Sequence, residues 1–301
     1  HNMANIVEQQ GDIPKAMKLW QQSLDIKEDI GDAKGKAATL HEMAGIVAQQ
    51  GDFPKAMKLW QQSLDIKEDI GDAKGKATTL HNMANIVAQQ GDIPKAMKLW
   101  QQSLNINDDI GDAQGKAATL ASMAWAAGQT GDADRQRQLN VEAARMLGQV
   151  GAFNDLVIVA DNLGASEEAG SERYLAQAVW LTARIQVPLV ASLNLAADLI
   201  QRLGPEDDRS PWIAAAAAIL VMMRSAEHPD AEQLQQGVSA LLGRCAEARE
   251  VPPDDFNAWL EREDLLNPDK AFPTLSMHLE ALIDDAWLFD RSVFARTEST
   301  G

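Results

Sequence analysis

Apolar residues in the first half of the chain recur at the spacing of amphipathic helices. One set falls at i, i+3, i+4 and i+7 and consists of Leu40, Met43, Ala44 and Val47. A second set falls at i, i+4 and i+8 and consists of Ala56, Trp60 and Leu64. Each set occupies one face of a helix. No segment of this region shows the strict alternation of a half-buried strand, so the pattern predicts pairs of helices.

Turn residues separate the two predicted helices of each pair. Gly51 tolerates the left-handed conformation that ends a helix, and Asp52 is a good N-cap for the next one. Pro54 falls in the first turn of that second helix, where its missing N–H has no partner to lose. The segment Ile70-Gly71-Asp72 ends the second helix in the same way.

The helix pairs form a repeat with a period of 40 residues. Residues 1–40, 41–80 and 81–120 align without a gap, and the first copy differs from each of the other two at five positions. A decayed fourth copy begins at Ala121. A single helical hairpin cannot bury its apolar face, so such repeats stack into a continuous core. Trp20, Trp60 and Trp100 recur at the same place in the repeat and are predicted core residues.

These residues resemble the tetratricopeptide repeat family. The small residues are Ala44, where the family usually has Gly, and Ser63, where it prefers Ala, and the large aromatic is Trp60. The period of 40 and the Ile70-Gly71-Asp72 joint are similar to the longer-helix subclass found in spindle-orientation adaptors and bacterial signalling proteins. The resemblance covers about residues 1–150. It implies an all-α, right-handed α-solenoid of helix-turn-helix repeats.

The second half of the chain is predicted to be helical, although the 40-residue signature fades. The expected division is a repeat array at 1–150 followed by diverged helical repeats and a C-terminal cap at 151–301. Predicted helices lie at about 133–147, 152–163, 167–184, 187–203, 211–226, 230–247, 256–263 and 273–286. The apolar run 156–160 is typical of a buried strand as well, but its helical surroundings favour a helix. The mixed aromatic and acidic segment 259–294 is the expected cap, with an acidic protein-docking patch as the alternative.

Composition narrows the function. The 301 residues carry a net charge of −17 with a pI near 4.6, which argues against nucleic acid as the main partner. No apolar stretch reaches the roughly 20 residues of a membrane span, and the longest, Trp212–Met223, is a predicted core helix. No signal peptide opens the chain, and the lone Cys245 cannot form an intrachain disulfide. A cytoplasmic protein without membrane contact is therefore expected.

The resemblance implies that the first helix of each pair lines a concave groove. The exposed positions there predict a partner-binding set that consists of His41, Glu42, Gly45, Gln49, His81, Asn82, Asn85, Gln89 and Trp125. Ala48 and Ala88 are further candidates predicted to be exposed on this face, and the first-copy counterparts are His1, Asn2, Asn5, Glu8 and Gln9. Amide side chains both donate and accept, so they suit the backbone of an extended peptide. The alternatives are a solvated polar face and, for Trp125, either a binding hot spot or a ring covered by the C-terminal helices.

Other chemistry is not predicted. His1, His41 and His81 repeat too far apart to share a zinc ion, because neighbouring helix axes are roughly 8–10 Å apart and zinc ligands lie at about 2 Å. The segment 31–37 lacks the spacing of a phosphate loop, and 25–36 lacks the ligands of a calcium loop. The lysines at 15, 18, 55, 58, 95 and 98 form a solvated stripe, with weak binding of acidic partners as the alternative. No catalytic, metal or cofactor site is expected, and the chain is not predicted to be an enzyme.

The expected function is a non-catalytic scaffold that binds a protein or peptide segment in the groove. Residue 1 falls in the middle of a predicted first helix, so we expect a fragment of a larger signalling protein. Two alternatives stay open: self-assembly through exposed repeat ends, and a regulatory or sensor module that controls an attached effector domain.

Overall fold

The computed structural model describes residues 3, 4, 7, 11–166, 169–225 and 228–295. Within these ranges the chain is helical and contains no strand, which confirms the predicted all-α class. The helices form two compact units, His1–Leu139 and Asn140–Gly301. The expected boundary after residue 150 falls at the end of a helix, Ala133–Val150, and it stays a prediction.

The first unit is built from alternating first and second helices. These helices are α1 (Ile13–Asp29), α2 (Ala33–Gln49), α3 (Phe53–Asp69), α4 (Ala73–Gln89), α5 (Ile93–Asp109), α6 (Ala113–Gln129) and the start of α7 (Ala133–Val150). From α1 to α6 each helix packs against the next, most extensively α2 against α3 and α4 against α5. The first helices α2, α4 and α6 also contact one another in turn. The structure therefore places the equivalent faces of successive first helices side by side.

The turn residues act as the sequence predicts. Gly51 has a φ of 83° and Gly71 a φ of 71°, the left-handed conformation that glycine adopts without strain. The Asp52 carboxylate accepts a hydrogen bond from the backbone N–H of Lys55 at 3.2 Å. The Asp72 carboxylate accepts one from the N–H of Gly75 at 2.9 Å. Each pair thus ends one helix and caps the next.

The tryptophans that recur at the same position of each repeat lie in the core, as predicted. Trp20, Trp60 and Trp100 are 1%, 3% and 1% exposed, and the small residues Ala44 and Ala56 are fully buried. Ser63 is buried as well, and its hydroxyl donates to the carbonyl of Ala37 at 2.7 Å. A serine thus fits where the family prefers alanine, because its polar atom has a partner on the neighbouring helix.

The helices of the second unit vary more in length, from four residues to 18. They are α8 (Phe153–Gly164), α9 (Glu172–Thr182), α10 (Leu189–Leu203), α11 (Ser210–Arg224), α12 (Ala231–Ala248), α13 (Pro253–Arg262), α14 (Pro268–Ile283) and the short α15 (Ser292–Ala295). The apolar run 156–160 lies within α8, which confirms the helical interpretation. Helix α14 begins at Pro268 rather than near 273, because the Asn267 side chain caps it by accepting from the N–H of Asp269.

The segment after α14 packs onto helices of its own unit. The Gln177 side chain of α9 is fully buried and donates to the carbonyl of Ala286 at 3.0 Å. The side-chain amide oxygen of Gln177 accepts from the backbone N–H of Leu288 at 2.8 Å. The Trp180 ring meets the Trp287 ring edge-on at a centroid distance of 5.3 Å. These contacts hold residues 286–288 against α9, and the role of 259–294 as a C-terminal cap stays a prediction.

The most apolar stretch of the chain is buried in this second unit. Ile213, Ala214 and Ile219 on α11 are at most 1% exposed. None of the described helices is both long and apolar enough to cross a membrane. Residues 213–219 and Val221 thus supply core packing, as predicted for this helix, whereas Met222 and Met223 at its end are 58% and 67% exposed.

Candidate partner-binding face

The predicted binding residues lie on the helices α2, α4 and α6. We call this set the first-helix face; it consists of His41, Glu42, Gly45 and Gln49 on α2, His81, Asn82, Asn85 and Gln89 on α4, and Trp125 on α6. Glu42, Gln49, Gln89 and Trp125 are exposed, and the other five are half-buried. The prediction that Ala48 and Ala88 are exposed on this face is wrong, because both side chains pack into the core and are 7% and 5% exposed. The first-copy counterparts His1, Asn2, Asn5, Glu8 and Gln9 lie outside the described residues.

His41 is held between two repeats by both of its ring nitrogens. Nδ1 lies 3.1 Å from the hydroxyl of Thr79, and Nε2 lies 3.1 Å from the amide nitrogen of Asn82. The amide nitrogen of Asn82 can only donate, so Nε2 must accept and the proton resides on Nδ1. The Thr79 hydroxyl in turn donates to the carbonyl of Gly75 at 2.9 Å. This chain of hydrogen bonds joins α2 to α4 and fixes the neutral form of the imidazole.

His81 repeats the arrangement one copy later with a different donor. Its Nδ1 lies 3.3 Å from the hydroxyl of Thr119, which mirrors the contact of His41 with Thr79. Its Nε2 accepts from the amide of Asn85, a residue on the same helix, at 3.1 Å. The carbonyl oxygen of that Asn85 amide accepts from Trp100 Nε1 at 3.0 Å. Asn85 therefore connects the exposed face to the tryptophan in the core beneath it.

A buried lysine lies beneath the first-helix face in the second repeat. Lys67 is 6% exposed, and its ammonium group donates to the Thr79 hydroxyl at 2.8 Å. Burial lowers the pKa of Lys67, while the nearby carboxylates of Asp72 and Glu42 act in the opposite direction. The same hydroxyl thus accepts from both Lys67 and His41, so the two basic groups are neighbours.

These surroundings keep the histidines neutral. Burial, followed by the positive charge of Lys67, lowers the pKa of His41 to about 4. Burial alone lowers the pKa of His81. With the Nε2 lone pairs already accepting hydrogen bonds, neither ring offers a free nitrogen to a metal ion. The described residues contain no group of three or more His, Cys, Asp or Glu side chains arranged to hold a metal.

A shallow pocket opens between α4 and α6. It has a volume of about 210 Å³ and is lined by Asn85, Ala88, Gln89, Trp100, Ser122 and Trp125. The Trp125 side chain is 47% exposed, which is unusual for so large a ring. The pocket thus combines an open aromatic surface with amide and hydroxyl groups.

Sequence reasoning missed the residues that hold the face in place. Thr79, Thr119 and Lys67 were not predicted to belong to it, and the fixed role of Asn85 was not foreseen. The threonines at 39, 79 and 119 do recur at the repeat period, and each is fully buried. A polar residue that repeats in phase with the core is the signal that points to such a buried network.

The structure also shows where the lysine stripe and Cys245 lie. The lysines at 15, 18, 55, 58, 95 and 98 are all exposed on the second helices. Cys245 is fully buried on α12, and burial raises the pKa of its thiol. A thiol with a raised pKa is a poor nucleophile at neutral pH.

Comparisons with known proteins agree with this architecture. Two family models described as tetratricopeptide repeat match residues 1–69 and 77–107. The crystal structure of BtubC (BKLC) from P. vanneervenii is similar with a TM-score of 0.56 and 14% identity, over 77% of this chain and 89% of that chain. A putative kinesin light chain from Podosopora anserina with nearly identical TPR-like repeats has a TM-score of 0.40 and 17% identity, over 80% and 92% of the two chains. At 14% identity the likeness to BtubC concerns the fold alone. No curated protein sequence matches the chain.

Proposed function

We propose, for a chain whose residues 1–69 and 77–107 are tetratricopeptide repeats, that the first-helix face binds an extended segment of a protein partner. Repeats of this family generally mediate protein–protein interaction and are typically non-catalytic. The proposed role is that of a scaffold without chemistry of its own. A signalling context and a cytoplasmic location stay predictions.

The observation that carries the proposal is the pocket beside Trp125. A half-exposed tryptophan ring keeps apolar surface in water, and covering it with a partner recovers that free energy. Tryptophan is enriched among the few interface residues that dominate binding, where truncation costs about 2 kcal/mol or more. Gln89 lies in the same pocket and is exposed, so a polar group accompanies the aromatic anchor.

The remaining exposed groups suit a peptide backbone. Gln49 and Gln89 occupy equivalent places on α2 and α4 and carry amides that both donate and accept. They are supported by a rigid base, because His41 and His81 are fixed by hydrogen bonds on both ring nitrogens. A face that is already ordered loses little conformational entropy when a partner binds.

The structure also decides which substitutions test the proposal. Asn85→Ala removes the acceptor of the Trp100 indole, so it changes the core as well as the face. Trp125→Ala and Gln89→Ala change exposed atoms and leave that hydrogen bond intact. They are therefore the cleaner probes, and the double substitution Asn82→Ala with Asn85→Ala serves as a second, more disruptive variant.

The experiment selects peptides that bind the full chain from a displayed random library and measures their affinity by calorimetry. We expect Trp125→Ala to weaken binding by about 30-fold, the equivalent of about 2 kcal/mol. The control is Lys55→Ala with Lys58→Ala on the exposed side of α3, which leaves affinity unchanged. Peptides that depend on these lysines but not on Trp125 or Gln89 would place the binding surface elsewhere and overturn the proposal.

Self-assembly is a second candidate, favoured by exposed apolar residues at the C-terminal end of α1 and at its C-cap. Ile26 and Ile30 are 59% and 70% exposed. Light scattering across a range of concentrations tests it, with Ile26→Ser and Ile30→Ser as the variants that prevent association. A mass that stays at 32.7 kDa at every concentration would exclude it.

A further inference from the structure

The first helix of the decayed fourth copy differs from the earlier first helices on the face where they meet. Helix α6 carries Ser122 where α4 has Asn82, and Trp125 where α4 has Asn85. At one position a short hydroxyl thus replaces an amide side chain, and at the other a large ring replaces an amide. The junction between α4 and α6 therefore presents different chemistry from the junction between α2 and α4.

A side chain bridges the junction between α2 and α4. The amide nitrogen of Asn82 on α4 lies 3.1 Å from His41 Nε2 on α2. The residue at this place in the next junction is Ser122, whose side chain is shorter and has no amide. There, His81 Nε2 accepts from Asn85 on its own helix at 3.1 Å. The bridge between two first helices is thus replaced by a hydrogen bond within α4.

The pocket between α4 and α6 lies beside the residue that no longer forms this bridge. Its volume is about 210 Å³, and Ser122 and Trp125 belong to its lining. An apolar cavity of about 150 Å³ is large enough to hold a benzene ring. The pocket therefore has room for one side chain of that size. The Trp125 ring, 47% exposed, forms its open wall.

The charge of the lining narrows what this side chain can be. None of the described lining residues is charged; they are Asn85, Ala88, Gln89, Trp100, Ser122 and Trp125. A charged side chain placed there would lose hydration without gaining a counter-charge. The Asn85 amide is already held by hydrogen bonds with His81 and Trp100, so this wall is ordered before a ligand enters. An apolar side chain meets the open Trp125 ring at no such cost.

We propose that Ser122 opens this pocket and that the pocket accepts one uncharged, apolar side chain of the bound segment, of the size of leucine to phenylalanine. The side chain lies against the Trp125 ring, and burial of the two apolar surfaces anchors the segment. At the junction between α2 and α4 the wall residue is Asn85 in place of a tryptophan, so the anchor fixes one register of the segment. This inference rests on the proposed function, because it names the side chain bound at the same face.

The direct test uses peptides selected on the full chain, as above, together with two variants at position 122. Ser122→Asn restores the residue of the preceding repeat and fills part of the pocket, whereas Ser122→Ala keeps the side chain short. We expect Ser122→Asn to weaken binding by about tenfold or more and Ser122→Ala by less than about threefold. Serine and asparagine have similar helix propensities, so equal melting temperatures serve as the control for folding.

A second measurement identifies the anchor on the peptide. Each peptide position is replaced in turn by Ala, and affinity is measured with the unmodified chain and with Trp125→Ala. The anchor is the position whose replacement weakens binding to the unmodified chain but has no further effect on the variant. We expect it to be Leu, Ile, Met or Phe. Lys or Glu at that position should weaken binding more than Ala does, because the pocket offers no counter-charge.

The outcomes separate this inference from the proposed function. Peptides that lose affinity with Trp125→Ala but carry a charged residue as the anchor, or are indifferent to Ser122→Asn, overturn the inference and leave the binding face in place. Peptides indifferent to both Trp125→Ala and Gln89→Ala overturn the binding face itself, and the apolar anchor with it. A selection that yields no binding peptide also counts against both.

Discussion

The second and third repeats are almost the same sequence and differ in how they satisfy their buried polar groups. Residues 41–80 and 81–120 differ at eight positions: 42/82, 45/85, 53/93, 65/105, 67/107, 68/108, 74/114 and 78/118. Trp60 and Trp100 lie in equivalent, buried places, yet only Trp100 has an acceptor. A repeat protein thus contains its own matched comparison, in which nearly identical hairpins report on single changes.

The comparison extends to the charge beneath the face. Lys67 is buried in the second repeat, whereas the third repeat has the neutral Asn107 at the same place, 4% exposed. The Asn107 amide lies 3.5 Å from the Ser103 hydroxyl, while Lys67 reaches Thr79. The second repeat therefore combines an unsatisfied indole with a buried ammonium, and the third has neither. The apolar framework is common to both, so the differences concern hydrogen bonding and electrostatics more than fold.

The largest expected effect comes from truncating the two tryptophans. Trp60→Ala and Trp100→Ala each remove a fully buried ring and should lower the unfolding free energy by about 3–5 kcal/mol. The loss at Trp100 should be greater by about 1 kcal/mol, because it also breaks a hydrogen bond and leaves the Asn85 oxygen unpaired. Urea unfolding followed by circular dichroism measures both, with the half-exposed Trp125→Ala as the control. Equal losses at 60 and 100 would contradict the difference between the repeats.

The next largest effect is the loss of stability at acidic pH. The pKa of His41 is about 4 in the folded chain, below the value of 6.5 for a free side chain, so the unfolded chain binds the proton more readily. The unfolding free energy should therefore fall as the pH drops from 6.5 towards 4, by on the order of 2 kcal/mol at pH 5 from this residue alone. His41→Gln removes that contribution, and the difference between the two pH profiles isolates it from the carboxylates.

A related variant separates the two causes of the lowered pKa of His41, burial and the charge of Lys67. Lys67→Met keeps the apolar stem and removes the positive charge next to His41. We expect the pKa of His41 to rise but to stay below 6.5, because burial is the larger cause and remains. Titration of the His41 ring protons by NMR measures this. The pKa of His81 should not move, and a parallel rise there would show that the substitution had loosened the fold instead.

The smallest expected loss of stability comes from substituting a helix cap that is the same in both repeats. Asp52 and Asp92 cap α3 and α5, accepting from the N–H groups of Lys55 at 3.2 Å and Lys95 at 3.1 Å. Asp52→Ala and Asp92→Ala should each cost about 1 kcal/mol, and the two losses should agree within error. Unfolding measured under identical conditions checks them. Clearly unequal losses would mean that the hairpins are not equivalent even where their sequences are.

Much of the fold followed from local patterns. Gly51 and Asp52 predicted a helix end and a cap, and the structure confirms both because these effects depend on a few adjacent residues. Trp60 was predicted to be in the core because its helical phase allows nothing else, and it is 3% exposed. The start of α14 was misplaced near 273, since either Pro268 or Pro273 is compatible with a first turn. The Asn267 cap decides for Pro268.

The candidate face was predicted as a set of positions, and its chemistry was not. The periodicity places His41 and Asn82 on the same side of successive first helices. It does not show that their side chains meet each other across two repeats at 3.1 Å. Residues 41 apart come into contact only through stacking, and the buried Lys67 and Thr79 enter the same network by the same route. The binding role of the face stays a proposal.

The sequence by itself determined the helices, their ends, the 40-residue period and the apolar seam, because each depends on residues within a turn or two along the chain. Only the tertiary structure decided which polar groups find partners. Hydrogen bonds between stacked helices depend on distances of about 3 Å between side chains from different repeats. One missing side chain, at Gly45, is invisible in the helical pattern. It becomes consequential once the stacked helices bury the Trp60 indole without an acceptor.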